Sequence, residues 1–185
     1  MPPKKAAKHA PKKAAKKQAS KPESDKSLTE TLRAYEHLGR VRVLVPFLAP
    51  EAAETVSVLG DMSQASLRLD AACDAADLLR AAEHYCFATL ATKDPTGSAV
   101  STDLRRRIQM ECDHLRERSD TRTSVLAPTI HLIYQEMCDL AARALGAGSY
   151  RAALEMARGA EALSHVNSHN AALAQGNAAN FLGHQ

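Results

Sequence analysis

The sequence has no tryptophan, and aromatic residues make up only 4% of its 185 residues. Strands favour aromatic and β-branched residues, and these become sparse after Val58. Much of the 45% hydrophobic fraction is instead alanine, the strongest helix former, whose small side chain lets helices approach closely. The composition therefore predicts an all-α fold, an antiparallel helical bundle of five to seven helices with short connections.

Cysteine is scarce as well, and long apolar runs are missing. No two of the four cysteines have Cys-x-x-Cys spacing, so we expect buried, reduced thiols in a reducing compartment. No apolar run approaches the ~18 residues of a membrane span, and no secretory signal follows the early lysines. We therefore expect no membrane partner and a cytoplasmic protein, with a nucleoid-associated location possible in bacteria and a nuclear one in a eukaryote. The cysteines are Cys73, Cys86, Cys112 and Cys138.

The first 26 residues lack leucine, isoleucine, valine and aromatic residues altogether. Nothing in this segment can be buried to offset the entropy of ordering the chain, so residues 1–26 are predicted to be a disordered tail. Nine lysines against Glu23 and Asp25 give the tail a charge of +7. Since the whole chain carries +3, the remaining residues carry −4. A basic tail thus precedes a mildly acidic body.

Lysines without bulky neighbours suit the phosphate backbone of nucleic acid, which demands charge and no particular shape. The stretch PKKAAKK resembles the tails of linker histones and the lysine-rich extensions of some bacterial nucleoid proteins, which implies DNA or RNA as a partner. A solubilising leader, a localisation signal, and binding to an acidic protein or membrane surface are the alternatives. The candidate nucleic-acid-binding residues are Lys4, Lys5, Lys8, Lys12, Lys13, Lys16, Lys17 and Lys21.

The predicted helical domain covers residues 27–166. It opens at Ser27, because Ser27 to Glu30 has the S-x-x-E form of a capping box. A second capping box begins at Asp61, directly after Gly60, and predicts a long helix from there to about residue 90. The first helix is predicted from apolar residues at helical spacing, namely Leu28, Leu32, Tyr35, Leu38 and Val41. Residues 167–185, rich in Asn and Ala, are predicted to be weakly ordered.

The hairpin from Tyr134 to Asn167 has apolar and small residues at spacings similar to a tetratricopeptide repeat, which implies a protein-binding adaptor. It departs from that family at Ala157, where the usual aromatic is missing, and near His165, where no proline follows. No second copy occurs at a 34-residue period. An ordinary helical hairpin with a glycine turn is the alternative. The matching residues are Met137, Leu140, Ala141, Ala144, Gly148, Tyr150, Ala153, Ala157 and Ala160.

Arg107 and His114 lie on one predicted helix with six residues between them. This spacing resembles the R-x(4–6)-H motif of HEPN-type ribonucleases, which implies a basic pair that stabilises phosphate charge and positions a proton transfer. The family usually has a polar residue directly after the arginine, whereas this chain has Ile108. With eight histidines in the chain, such a pair also arises by chance.

No metal or cofactor site is predicted. Glu111 and His114 resemble the Glu-x-x-His motif of ferritin-like di-iron bundles, but that chemistry needs two such motifs and the chain has one. His165 and His169 share a helix face at i,i+4 without an evident third ligand. Phosphate-binding loops and nucleophile elbows are also missing.

These features together predict a non-enzymatic helical binding or scaffold protein. The tail would contact nucleic acid, and the helical body would bind a protein partner or a second copy of itself. Two alternatives stay open at this point. One is a tetratricopeptide-like adaptor with no nucleic-acid role, and the other is a HEPN-like ribonuclease.

Overall fold

The computed structural model describes residues 23–91, 102–122, 127–167 and 170. These residues form six α-helices and one 3₁₀ turn, Val45–Phe47, with no strand among them, so the all-α prediction is confirmed. Within this part of the chain, none of the helices has the length and apolar character needed to cross a membrane. The helices are α1 Glu23–Leu44, α2 Pro50–Arg68, α3 Ala72–Ala91, α4 Thr102–Arg122, α5 Pro128–Gly146 and α6 Tyr150–His165.

Helix α3 lies at the centre of the bundle and packs against α1, α2 and α6. It is buried on nearly all sides, because the small methyl groups of alanines such as Ala75, Ala81 and Ala82 let the neighbouring helices approach closely. Gly159 of α6 allows an equally close approach, since a Cβ there would lie 3.1 Å from Sδ of Met137. The alanine-rich composition is therefore the basis of the packing.

The α5–α6 connection is a Schellman turn, as the predicted glycine-turn hairpin implied. Gly148 has a φ of 78°, which suits a residue without a Cβ. The amide of Ser149 donates to the Ala144 carbonyl at 2.8 Å, and the amide of Gly148 donates to the Leu145 carbonyl at 3.1 Å. The turn of the predicted hairpin therefore lies at Gly148.

The α2–α3 connection corrects the prediction of one long helix starting at Asp61. Helix α2 runs through Gly60, and the break comes at Asp70, which adopts a φ of 57°. The Schellman bonds recur there, from the Ala71 amide to Ser66 at 2.9 Å and from the Asp70 amide to Leu67 at 3.2 Å. Ser63, predicted as part of a cap, is buried and donates to the carbonyl of Ala75 on α3 at 3.1 Å.

Helix α1 begins at Glu23, four residues before the predicted start, so Ser27 lies inside the helix and is not its cap. The carbonyl of Ser27 accepts a bond from the hydroxyl of Thr31 at 2.8 Å, an interaction made within a helix. One thiol also departs from expectation. Cys73 is exposed in the first turn of α3, whereas the other three cysteines are buried, and none of the four is in a disulfide.

The order of contacts along α3 and α6 shows that these helices are antiparallel. Buried Asp74, at the start of α3, accepts bonds from the Asn167 amide at 3.0 Å and from Asn170 Nδ2 at 2.8 Å. Near the other end, His84 contacts Glu155 at 2.7 Å. Helices α1 and α3 instead run parallel, since Ala34 packs with Ala75 near the start of α3 and His37, further along α1, bonds Glu83. Residues 168–169 and 171–185 of the predicted weakly ordered segment lie outside the described residues.

Helix α4 covers the far side of the bundle, where it packs on α5 and α6. Its inner face is formed by Ile108, Cys112 and Leu115, all buried. The buried hydroxyl of Tyr134 on α5 donates to the carbonyl of Leu115 at 2.7 Å. The body thus has α1 and α2 on one side of α3 and the remaining helices on the other.

Candidate protein-interaction surface

Helix α1 presents large apolar side chains to solvent along one face. At 100° per residue, Leu28, Leu32, Tyr35 and Val43 all lie within about 40° of Gly39 around the helix axis. Their exposed fractions run from 57% to 68%. We call this set, with Gly39 at its centre, the α1 surface. Four large apolar side chains exposed together on one helix face require an explanation beyond the scattered exposure that is normal for single residues.

The opposite face of α1 holds it to α3. Ala34 is fully buried in a small cluster with Ala75, Ala76 and Leu79, and Val41 belongs to the main core. Helix α1 is therefore apolar on two opposite sides, and only one of them faces the body of the protein. Of the five residues from which the helix was predicted, only Val41 is buried, while Leu28, Leu32 and Tyr35 belong to the α1 surface.

A buried carboxylate fixes the orientation of α1 on α3. Glu83 is 6% exposed, and its Oε2 accepts a hydrogen bond from Nδ1 of His37 at 2.5 Å. Arg40 Nη1 lies 3.4 Å from both carboxylate oxygens of Glu83. His37 lies nearly opposite Gly39 around the helix and Arg40 lies on one flank, so the two contacts with Glu83 keep the α1 surface turned outward.

Grooves flank the α1 surface on both sides. Helices α1 and α2 both rest on α3 but have little contact with each other, which leaves a groove of about 420 Å³ between them. Leu79 lines it with Tyr35, Leu38 and Leu67, and Arg42 and Arg68 contribute its positive charge. The second groove, about 490 Å³, is lined by Tyr35, Glu36, Gly39, Arg40, Val43, Leu44 and Phe87. A ridge between two grooves is a shape that a partner helix can pack against.

Three consecutive residues of α3 each join that helix to a different neighbour. Glu83 contacts α1, His84 contacts Glu155 of α6, and the Tyr85 hydroxyl donates to Glu136 of α5 at 3.2 Å. The His84 hydrogen bond lowers the pKa of Glu155 below its ordinary value, and burial raises the pKa of Tyr85. Each of these polar groups already has a partner across a helix contact, so the arrangement is one that fastens helices together.

The predicted pair Arg107 and His114 lies on the outer face of α4. Both side chains are exposed, and they are two turns apart, about 10 Å along the axis. Ile108, which follows the arginine, points into the core and is 2% exposed. Neither residue lines either of the two grooves described above. The ribonuclease hypothesis remains a prediction.

The remaining candidates are the histidines of a metal site, the tail lysines and the residues of the hairpin. Among the described residues, no group of three or more His, Cys, Asp or Glu side chains is arranged to hold a metal ion. His165 lies 3.5 Å from Nη2 of Arg80, and His169 lies outside the described residues, as do the eight candidate nucleic-acid-binding lysines. The hairpin residues Ala141, Ala153, Ala157 and Ala160 are buried in the core that α6 shares with its neighbours, so they serve the fold.

Comparison with protein-family models, with curated proteins and with solved structures finds no match for this chain. Sequence reasoning missed the α1 surface as a site, although Leu28, Leu32, Tyr35 and Gly39 have the 4-3-4 spacing of a coiled-coil seam. That spacing was the available signal, but on its own it indicates a helix and does not show what buries its apolar face.

Proposed function

We propose that this chain is a non-enzymatic helical binding protein whose α1 surface docks a helix of a second protein molecule. The observation that carries the proposal is the apolar outer face of α1, which lies opposite the face that packs on α3. An amphipathic helix places residues at i, i+3, i+4 and i+7 against such a surface. The grooves on either side would receive the flanking side chains of that helix.

The charges around the α1 surface favour a partner with both acidic and basic side chains. Glu36 and Arg40 border one groove, and Arg42 and Arg68 border the other. Charged residues at the edge of an interface affect which partner binds and how fast it associates more than they affect the affinity. The apolar residues would supply most of the affinity, since their burial is worth about 25 cal/mol per Å².

Affinity purification with matched variants tests this proposal. Leu32→Glu places a charge in the centre of the α1 surface, and Leu132→Glu places the same charge on α5, where Leu132 is 65% exposed. We expect wild type and Leu132→Glu to retain the same partner from extracts of the source cells, and Leu32→Glu to lose it. If the two variants retain the same proteins in equal amounts, the proposal is wrong.

We further propose that the tail contacts the phosphates of DNA or RNA. The opposite charges of the two parts of the chain, +7 on residues 1–26 and −4 on the rest, support this proposal. An acidic body repels nucleic acid, so the contact would be confined to the tail. Such binding would place the protein in the cytoplasm, on a bacterial nucleoid, or in a eukaryotic nucleus. The residues are Lys4, Lys5, Lys8, Lys12, Lys13, Lys16, Lys17 and Lys21.

Salt-dependent binding measurements on the full chain test the role of the tail. Eight phosphate contacts would give a slope of log K against log salt of roughly −7 on double-stranded DNA, since each contact contributes about −0.9. Replacing the eight lysines by glutamine should abolish both the binding and the slope. Equal binding by the two proteins, or binding insensitive to salt, would remove nucleic acid from the proposal.

A further inference from the structure

We infer that the partner at the α1 surface is a second copy of this chain, whose own α1 crosses the first in an antiparallel sense at Gly39. This inference rests on the proposed function, because it names the occupant of the same surface. A twofold axis would relate the two copies, so the same residues of each copy would be buried in the interface.

The apolar side chains are spaced symmetrically about Gly39. Tyr35 lies four residues before it and Val43 four residues after it, on the same face of the helix. In an antiparallel crossing centred on Gly39, Tyr35 of each copy therefore faces Val43 of the other. The two glycines meet at the centre, where a bulky side chain would hold the helices apart. A Cβ on Gly39 would meet nothing within 4 Å in the single chain, so the fold itself does not need this glycine.

The flanking charges distinguish the antiparallel from the parallel arrangement. Glu36 and Arg40 lie on the same flank of the α1 surface, at about 60° and 100° from Gly39. An antiparallel twofold keeps equal flanks together, so Glu36 of one copy comes within about 3 Å, measured along the axis, of Arg40 of the other. In a parallel pair, the flank that carries Glu36 would face the flank of the other copy that carries Arg42. Glu36 and Arg42 would then lie about 9 Å apart along the axis. The two Arg40 side chains also come within about 3 Å of each other along the axis, but each lies 3.4 Å from the Glu83 carboxylate of its own chain, so the two Glu36–Arg40 pairs still favour the antiparallel crossing.

The size of the surface indicates a weak, concentration-dependent dimer. From Leu28 to Val43 the face extends about 22 Å, and a strip about 10 Å wide covers roughly 220 Å². A stable interface buries about 800 Å² per partner. We therefore expect a weak dimer that forms only at high protein concentration.

Sedimentation equilibrium of the full chain between 10 µM and 1 mM tests the inference. We expect reversible dimerisation of wild type and of Leu132→Glu, and a monomer at every concentration for Leu32→Glu, with circular dichroism confirming that all three fold alike. A wild-type monomer at 1 mM, or equal dimerisation of both variants, overturns the inference.

Cysteine cross-linking tests the crossing point. In a Cys73→Ser background, Gly39→Cys should form an intermolecular disulfide under mild oxidation at least ten times faster than Arg33→Cys. Arg33 is exposed on the same helix but about 120° away from Gly39. At axis separations of 8–10 Å, facing Cα atoms on helices of radius 2.3 Å lie about 3–5 Å apart, which overlaps the disulfide range. Equal rates for the two variants contradict the crossing.

The failure of this inference and that of the proposed function give different results. If the chain is monomeric but Leu32→Glu loses a protein that Leu132→Glu retains, the α1 surface binds a different protein and only the self-association is wrong. If the chain is monomeric and the two variants retain the same proteins, the α1 surface binds no partner and both proposals fail.

Discussion

Glu83 on the central helix accepts a 2.5 Å hydrogen bond from His37 on α1, and this contact joins the helix that carries the candidate surface to the core. The carboxylate of Glu83 is buried, whereas 19% of the His37 side chain is exposed. The orientation of α1 therefore depends on a polar contact as well as on apolar packing.

Replacing Glu83 by alanine should loosen α1. The change leaves His37 without its acceptor and opens a small cavity, so we expect the free energy of unfolding to fall by about 1–3 kcal/mol. Urea denaturation measures this, and amide exchange should accelerate in α1 more than in α5. Glu54→Ala, at an exposed position of α2, is the control and should change stability by less than about 0.5 kcal/mol. Equal effects of the two variants would mean that the contact contributes nothing to stability.

The two Schellman turns should respond in opposite directions to matched substitutions. Asp70→Gly removes a Cβ from a residue with positive φ and should stabilise the fold by about 0.5–1 kcal/mol. Gly148→Ala introduces a Cβ at a φ of 78° and should destabilise it by about 1 kcal/mol. Urea denaturation of both variants checks the pair. A loss of stability in Asp70→Gly would indicate that the Asp70 side chain makes a contribution of its own.

These turns also show what the sequence could and could not predict. The Gly148 turn was predictable, because glycine is the usual residue at that position. The Asp70 turn was not, since the stretch Leu69 to Ala72 has neither glycine nor proline. Gly60 was the stronger breaker in the sequence, yet the packing of α2 on α3 outweighs its helix penalty of about 1 kcal/mol.

The candidate surface was hidden for a different reason. Apolar residues at helical spacing predict a buried face, but the spacing does not say whether the protein's own core or another molecule buries it. In α1 the true inner face is marked by the small Ala34 and the polar His37, which carry a weak hydrophobic signal. The eight candidate tail lysines lie outside the described residues, so their contact with nucleic acid, which depends on charge alone, stays a prediction.

The four thiols should differ sharply in reactivity. Burial raises the pKa of Cys86 to about 11, so at pH 8 only about one molecule in a thousand carries the reactive thiolate there. Cys73 is exposed, although partial burial and then the nearby carboxylates of Glu30, Asp74 and Asp77 raise its pKa as well. We expect Ellman's reagent to titrate one thiol in the native protein, more slowly than a free cysteine, and four in denaturant. Loss of the native signal in Cys73→Ser identifies the reactive thiol, and any fast second thiol contradicts the burial of the other three.

Glu155 should contribute to loss of stability in acid. The His84 hydrogen bond holds its pKa below the ordinary value of 4.5, so the native state binds this proton less readily than the unfolded state does. Its contribution is present above about pH 4.5 and is lost as the pH falls through the lowered native value. Denaturation between pH 6 and pH 3 should therefore show a smaller decline for Glu155→Gln than for wild type. Parallel curves would show that the His84 contact does not favour the carboxylate.

Photo-crosslinking from the α1 surface tests its role in binding most directly. Benzoylphenylalanine in place of Tyr35 keeps an aromatic ring at a position that is 58% exposed, and the same group in place of Leu132 is the control. We predict that position 35 captures one defined protein segment, either from a second copy in the purified sample or from another protein in cell extract. Adding Leu32→Glu should abolish this capture. Equal capture from positions 35 and 132, or no capture from position 35 in either sample, would contradict a binding role for the α1 surface.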